Sequence, residues 1–164
     1  MSAQHRRGNH LYASIRDMLP EAVIYARDAM HETGVPASLL LALFQEAVDS
    51  VTTWKQYGKE NKVILAIPPG EGYEGKTFNF AMKGYSMGHY THTMVQYRSY
   101  DTWRESFMDT ARYIVKVRPS VLKAKTADEA CYSMRGFPTG NRHVRLDVLR
   151  IALKVFDLEK FDHI

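Results

Sequence analysis

The chain has one cysteine, Cys131, in 164 residues, so no internal disulfide can staple it. It also lacks a long apolar run. The leucine-rich stretch around Leu39 to Phe44 is far too short to span a bilayer. No apolar core follows the basic N-terminus, Met1 to Arg7, so no classical secretory signal is visible. The glycine-rich loop holding Gly70, Gly72 and Gly75 has no Gly-Lys-Ser/Thr ending and is no phosphate cradle. No internal repeat or low-complexity tract occurs. Between Lys83 and Asp101 there is no carboxylate. No His, Cys or acid completes a tetrahedral set around His89 and His92, so neither a metal nor another cofactor is expected.

What is present is an ordinary globular composition, 45% hydrophobic and 24% charged, with a net charge of +4 that suits anionic partners. The expected layout is a flexible basic tail over residues 1–10 and one domain over 11–164. The richest stretch runs from Val35 to Ser50. Leu39, Leu40, Leu43, Phe44, Ala47 and Val48 recur at helical spacing, and Pro36 suits the first helical position. Glu46 and Asp49, three apart, share one side. Burying an acid at the foot of such a helix is costly unless it has a partner or a task. The alternative is an amphipathic helix with two solvated carboxylates.

Around this helix the pattern predicts a short piece over Leu11 to Met18 and a helix from Pro20 to about Thr33, closed by Gly34. Three strands are expected over Val63 to Ile67, Phe78 to Met82 and His92 to Tyr97. A helix from about Thr102 to Val117 is N-capped by Asp101 in this reading. A capping box, Thr126 to Glu129, opens a short helix ending at Gly136. A last helix runs from about Asn141 to Phe156, with Ile151 and Val155 among its inward residues. Arg142, His143, Arg145 and Arg150 read mostly as its solvated basic face. Cys131 reads as a small core residue. The sum is α+β, mostly helical with a small antiparallel β lobe.

Three segments together resemble the peptidoglycan endo-β-N-acetylglucosaminidases, the lysozyme-like family that includes flagellar muramidase domains. Gln45-Glu46-Ala47-Val48-Asp49-Ser50 is similar to that family's Gln-Ala-Ala-Leu-Glu-Ser, and Asn79 to Gly84 to its Asn-Leu-Phe-Gly-Ile-Lys-Gly. Tyr97 to Phe107 resembles its aromatic-Arg-x-Tyr-Asp-Ser stretch, and Gly136 to Gly140 stands at its Gly-Tyr-Ala-Thr-Asp turn. The resemblance implies a lysozyme-like fold and hydrolysis of the β-1,4 glycan strand of the bacterial cell wall. It implies Asp49 as the general acid, where the family has Glu, with Glu46 in reserve. Glu74 or the sugar's acetamido group would supply the second function. Trp54, Asn79, Lys83, Tyr85, His89, His92 and Phe137 would line the substrate groove; Trp54 is equally readable as a core plug. Phe137 and Gly140 stand where the family has Tyr and Asp.

The partner expected from this resemblance is peptidoglycan, with virion or secretion-apparatus proteins as further partners. The chain would be made in the cytoplasm and act at the wall or periplasm, as a phage lysin or virion component does. The competing class is a catalytically degenerate, structural or glycan-binding part of a phage tail, secretion or flagellar assembly. A nucleic-acid binder, suggested by basicity and by aromatics such as Tyr85 and Tyr90, lacks any helix-turn-helix or RNP-like pattern.

Overall fold

The computed structural model describes residues 20–163. The tail and the Leu11 to Met18 piece lie outside them. Helix α1 (residues 20–33) buries Ala22, Ala26 and Ala29 and stops at Gly34, whose φ of 86° lets its N–H turn back to the Met30 carbonyl at 2.8 Å. Helix α2 (Ala37–Asp49) is the axis of the fold, and every residue from Ala37 to Val48 is buried. An apolar helix packed on all sides has this burial pattern. Its start is held from the far end of the chain. The Asp162 carboxylate accepts the Ser38 N–H at 2.7 Å and the Ser38 hydroxyl at 2.5 Å, a negative group at a helix N-terminus.

After Asp49 the chain continues as α3 (Val51–Thr53), a π turn (Trp54–Gly58) and α4 (Lys59–Asn61). Val63 to Ile67 is buried but forms no strand. Its polar groups are served one at a time. Ala66 N–H donates to the Thr139 hydroxyl at 2.9 Å, and the Ile67 carbonyl accepts from Arg98 N–H at 2.8 Å. The apolar run reflects burial on both sides of an irregular segment, a signal that a buried strand shares.

The β lobe is one long hairpin, β1 (Thr77–Ser86) with β2 (His89–Arg98), turning at Met87 and Gly88. It is longer than the two predicted strands because the tip, where polarity hides the alternation, stays paired. Cross-strand partners share a face. Phe78 with Tyr97, Phe80 with Val95 and Met82 with Thr93 form the inner face, packed at its base on Tyr57. Asn79 with Gln96, Ala81 with Met94, Lys83 with His92 and Tyr85 with Tyr90 form the outer face.

Helix α5 (Trp103–Val117) is capped by the Thr102 hydroxyl, which accepts from Glu105 N–H; Asp101 instead pairs with Lys76 at 2.5 Å. Helix α6 (Ala127–Tyr132) starts at the expected Thr126 cap, but ends three residues before Arg135. The last helix is shorter than expected. Asn141 to Arg145 is taken by a small hairpin, β3 (Pro138–Thr139) with β4 (Arg142–His143), and α7 spans Leu146–Val155. Leu149 and Ala152 are buried, whereas Ile151 and Val155 are half exposed. Among the described residues no helix is long and apolar enough to cross a membrane.

Candidate functional site at the foot of the buried helix

Two acids at the end of α2 meet two arginines from the β4–α7 corner. Glu46 is fully buried. Its carboxylate takes both terminal nitrogens of Arg142, Nη1 on Oε1 and Nη2 on Oε2, the latter at 3.2 Å. Arg145 adds Nε to Oε1 at 3.1 Å and Nη2 to the Glu46 carbonyl at 3.2 Å. The same Nη2 lies 3.0 Å from Oδ2 of Asp49, whose side chain is 23% exposed. Withdrawing a carboxylate from water costs several kcal/mol, and such a site persists only where charge and geometry compensate it. Here the planar fork of Arg142 supplies both bonds in the manner guanidinium geometry favours. Arg142 and Arg145 are thus half of an ion cluster rather than a solvated basic face.

Tyr57 stands between this cluster and the hairpin. It packs on Phe78 and Phe80, and its buried phenol is pushed up from the usual tyrosine range chiefly by loss of solvent. Gly140, at φ 67°, brings the β3–β4 turn against Tyr57 and Tyr97; a Cβ there would sit 3.2 Å from the Tyr57 hydroxyl. A recess of about 410 Å³ opens beside the turn, lined by Ala66, Pro68, Val95, Tyr97, Tyr113 and Pro138.

The other expected site residues are distributed unevenly. Lys83, Tyr85 and His92 gather on the outer face of the hairpin with Asn79. There Lys83 Nζ lies 4.2 Å from the Tyr90 ring centre, and the Tyr85 and Tyr90 rings meet edge to face at 5.1 Å. His89 pairs with Ser86 and so falls, by strand alternation, on the inner side. Glu74 is exposed and lines a different recess, with Lys76, Tyr100, Asp101 and Glu105. Trp54 stacks on Trp103 at 5.8 Å and meets Phe44 edge-on at 6.1 Å, which places its ring against the main core. Phe137 is fully buried, with the Arg118 guanidinium 5.2 Å from its ring centre. No group of His, Cys, Asp and Glu among the described residues is arranged to hold a metal.

Sequence reasoning did not assign Gln45, Tyr57, Thr139, Arg142 or Arg145 to this region. Two acids three apart and two arginines three apart were the available sign. Their complementarity spans nearly a hundred residues and has no local signature.

A buried helix ending in an acid, flanked by an antiparallel hairpin and wrapped by further helices, is the lysozyme-like α+β fold. The chain shares its fold with solved cell-wall hydrolase domains. It is similar to the catalytic domain of the autolysin Auto from Listeria monocytogenes, with 20% identity and a TM-score of 0.65 over 99% of this chain and 98% of that one. It is similar also to the glycoside hydrolase domain of Salmonella typhimurium FlgJ, with 19% identity and a TM-score of 0.62 over 86% and 96% of the two chains. A peptidoglycan hydrolase mutant from Sphingomonas sp. A1 aligns at 21% identity and a TM-score of 0.61 over 88% and 96%. No protein-family model matches this sequence, and no curated protein matches it at a significant level.

Proposed function

We propose that the chain acts on bacterial cell-wall peptidoglycan, holding the glycan strand between the foot of α2 and the inner face of the hairpin and hydrolysing its β-1,4 bond. One observation carries this reading. Of the two carboxylates on that side of α2, Asp49 reaches solvent while Glu46 is sealed in its arginine clamp. The general acid must place a protonated oxygen next to the glycosidic oxygen. Asp49 is the candidate for that task, and Glu46 takes the structural one. Oδ2 of Asp49 is engaged by Arg145 in the free protein, so substrate entry has to displace that guanidinium. The hairpin carries no acid, so the second function falls to the sugar's own acetamido group. Similarity of fold to the Listeria autolysin domain across nearly the whole chain supports the reading. The charge of +4 suits an anionic wall.

The Asp49–Arg145 pair also favours a second reading, in which the groove binds glycan without cleaving it. Purified sacculi separate the two. Soluble fragment release by the wild type, lost in Asp49→Ala, supports hydrolysis. Sedimentation with sacculi without release supports binding alone. Neither release nor sedimentation refutes both.

A further inference from the structure

The packed base of the β1–β2 hairpin ends at Phe80 and Val95. Every residue from Lys83 to Met94 is exposed. The four pairs from Lys83–His92 to Ser86–His89 carry the strands outward by roughly 13 Å at the usual strand rise. This projecting arm is apolar where a solvated arm would be polar. Met94, then the Lys83–His92 pair, then the Tyr85–Tyr90 pair follow one another along the outer face toward Met87 at the tip. Tyr85, Tyr90 and Met94 are exposed, and Met87 is 94% exposed. Single exposed apolar residues are ordinary, but a continuous patch marks a contact surface. The charge is of one sign. No Asp or Glu occurs from Thr77 to Arg98, and Lys83 holds its ammonium over the Tyr90 ring.

The tip adds an independent observation. Met87 has φ 51° and Gly88 φ 80°, so both residues of the turn are left-handed. Such a turn favours Asn-Gly, because Asn tolerates this backbone and an unbranched apolar residue does not. Met87 therefore costs the hairpin some stability and makes no packing contact in return. Backbone strain of this kind points to a use outside the fold.

We propose that the outer face and tip of the hairpin dock on an anionic lipid bilayer. Tyrosine rings suit the headgroup layer, Met87 and Met94 reach the acyl boundary, and the Lys83 ammonium stays among the lipid phosphates. The contact is shallow. A two-stranded ribbon leaves its outer backbone groups unpaired, and these keep water only in the headgroup layer. Charge and geometry set other occupants aside. A second copy would bring Lys83 toward Lys83 with no acid between them. Stacked nucleic-acid bases need an open ring face, whereas Tyr85 meets Tyr90 edge to face and Lys83 covers Tyr90. The inner face, opposite, stays free for the glycan reading, on which this contact does not depend.

The test is sedimentation of the full chain with vesicles of phosphatidylglycerol and phosphatidylcholine in equal parts, against phosphatidylcholine alone. The mixed vesicles should bind the chain, and phosphatidylcholine alone should bind it roughly fivefold more weakly, the share one lysine contributes. Lys83→Ser should remove that preference. Met87→Asn should melt no lower than the wild type, since it suits the turn, yet bind the mixed vesicles roughly fivefold more weakly, as losing a half-buried methionine implies. Binding to neither vesicle, equal binding to both, or binding unchanged in Met87→Asn overturns the proposal. So does a lower melting temperature of Met87→Asn, which would assign Met87 to the hairpin itself. Release of the bound chain by soluble polyphosphate or a single-stranded oligonucleotide at matched phosphate concentration would replace the bilayer with a plain polyanion. Sacculi cut by a chain that ignores both vesicles would leave the peptidoglycan reading standing alone, and vesicle binding without any action on sacculi would leave the bilayer contact alone.

Discussion

Replacing Arg142 by Ala should destabilise the protein more than replacing the acid it holds. Glu46 is fully buried, whereas the Arg142 side chain is 22% exposed and that of Arg145 40%. Arg142→Ala removes both forked contacts and leaves a buried carboxylate with the single Arg145 Nε contact at 3.1 Å. Breaking a buried ion pair in this sense costs about 3–5 kcal/mol, and the surviving partner places this case near the low end, at about 3 kcal/mol. Glu46→Ala instead leaves two guanidiniums that can turn to water, so about 1–2 kcal/mol is expected once the unpaired cations rehydrate. For a domain of this size about 1 kcal/mol moves Tm by roughly 2–4 °C, so Arg142→Ala should lower it by about 6–12 °C. The double variant should lose less than the sum of the singles by about 1 kcal/mol or more, since one interaction is removed twice. Thermal and urea unfolding of the four proteins measures all of this. Additive losses, or an Arg142→Ala loss of only about 0.5 kcal/mol, typical of a surface site, would refute the cluster as a buried, charge-compensated unit.

Three further outcomes follow from single contacts. Thr139→Val removes the hydroxyl that accepts the buried Ala66 N–H and should cost about 1–3 kcal/mol, with faster hydrogen exchange at Ala66 as its local sign. Phe44→Ala empties the junction of Trp54, Trp103 and Phe107 and should cost about 3–5 kcal/mol by urea unfolding. Burial pushes the Cys131 thiol from its ordinary 9.0 up to about 12, so a disulfide reagent at pH 8 should label it only after denaturation. The sign for stability follows: the folded state holds this proton more tightly, so its contribution is intact below about pH 9 and is lost as pH rises toward about 12. Fast labelling of the native protein would contradict the burial.

The helical frame was legible because its elements announce themselves locally. The leucine spacing of α2, Gly34 after α1 and the Thr126 cap each needed only their own neighbours. The failures share a physical cause. Val63 to Ile67 is apolar because it is buried, and apolarity alone does not distinguish a strand from an irregular segment whose hydrogen bonds go to Thr139 and Arg98. Asp101 and Thr102 are both good caps; Thr102 accepts the Glu105 N–H, while Asp101 pairs with Lys76, twenty-five residues away. The apolar period of α7 was visible, but Ile151 and Val155 lie on the side of it that opens to a small cavity beside Gln45. At the candidate site the sequence brought Glu46 and Asp49 together on one helical face. It did not separate their environments, since that depends on Arg142 and Arg145 arriving through a two-residue hairpin from the other end of the chain. The outer row of Asn79, Lys83, Tyr85 and His92 follows from hairpin register, which only the long pairing to Ser86 and His89 fixes.

The most direct test of the central claim is mass spectrometry of the soluble, reduced products after incubation with purified sacculi. The account predicts muropeptide fragments carrying a new reducing end from β-1,4 glycan cleavage, absent when Asp49 is replaced by Ala. Glycan strands that stay uncut with the wild type would contradict hydrolysis, and failure to pellet with the sacculi as well would contradict action on peptidoglycan altogether.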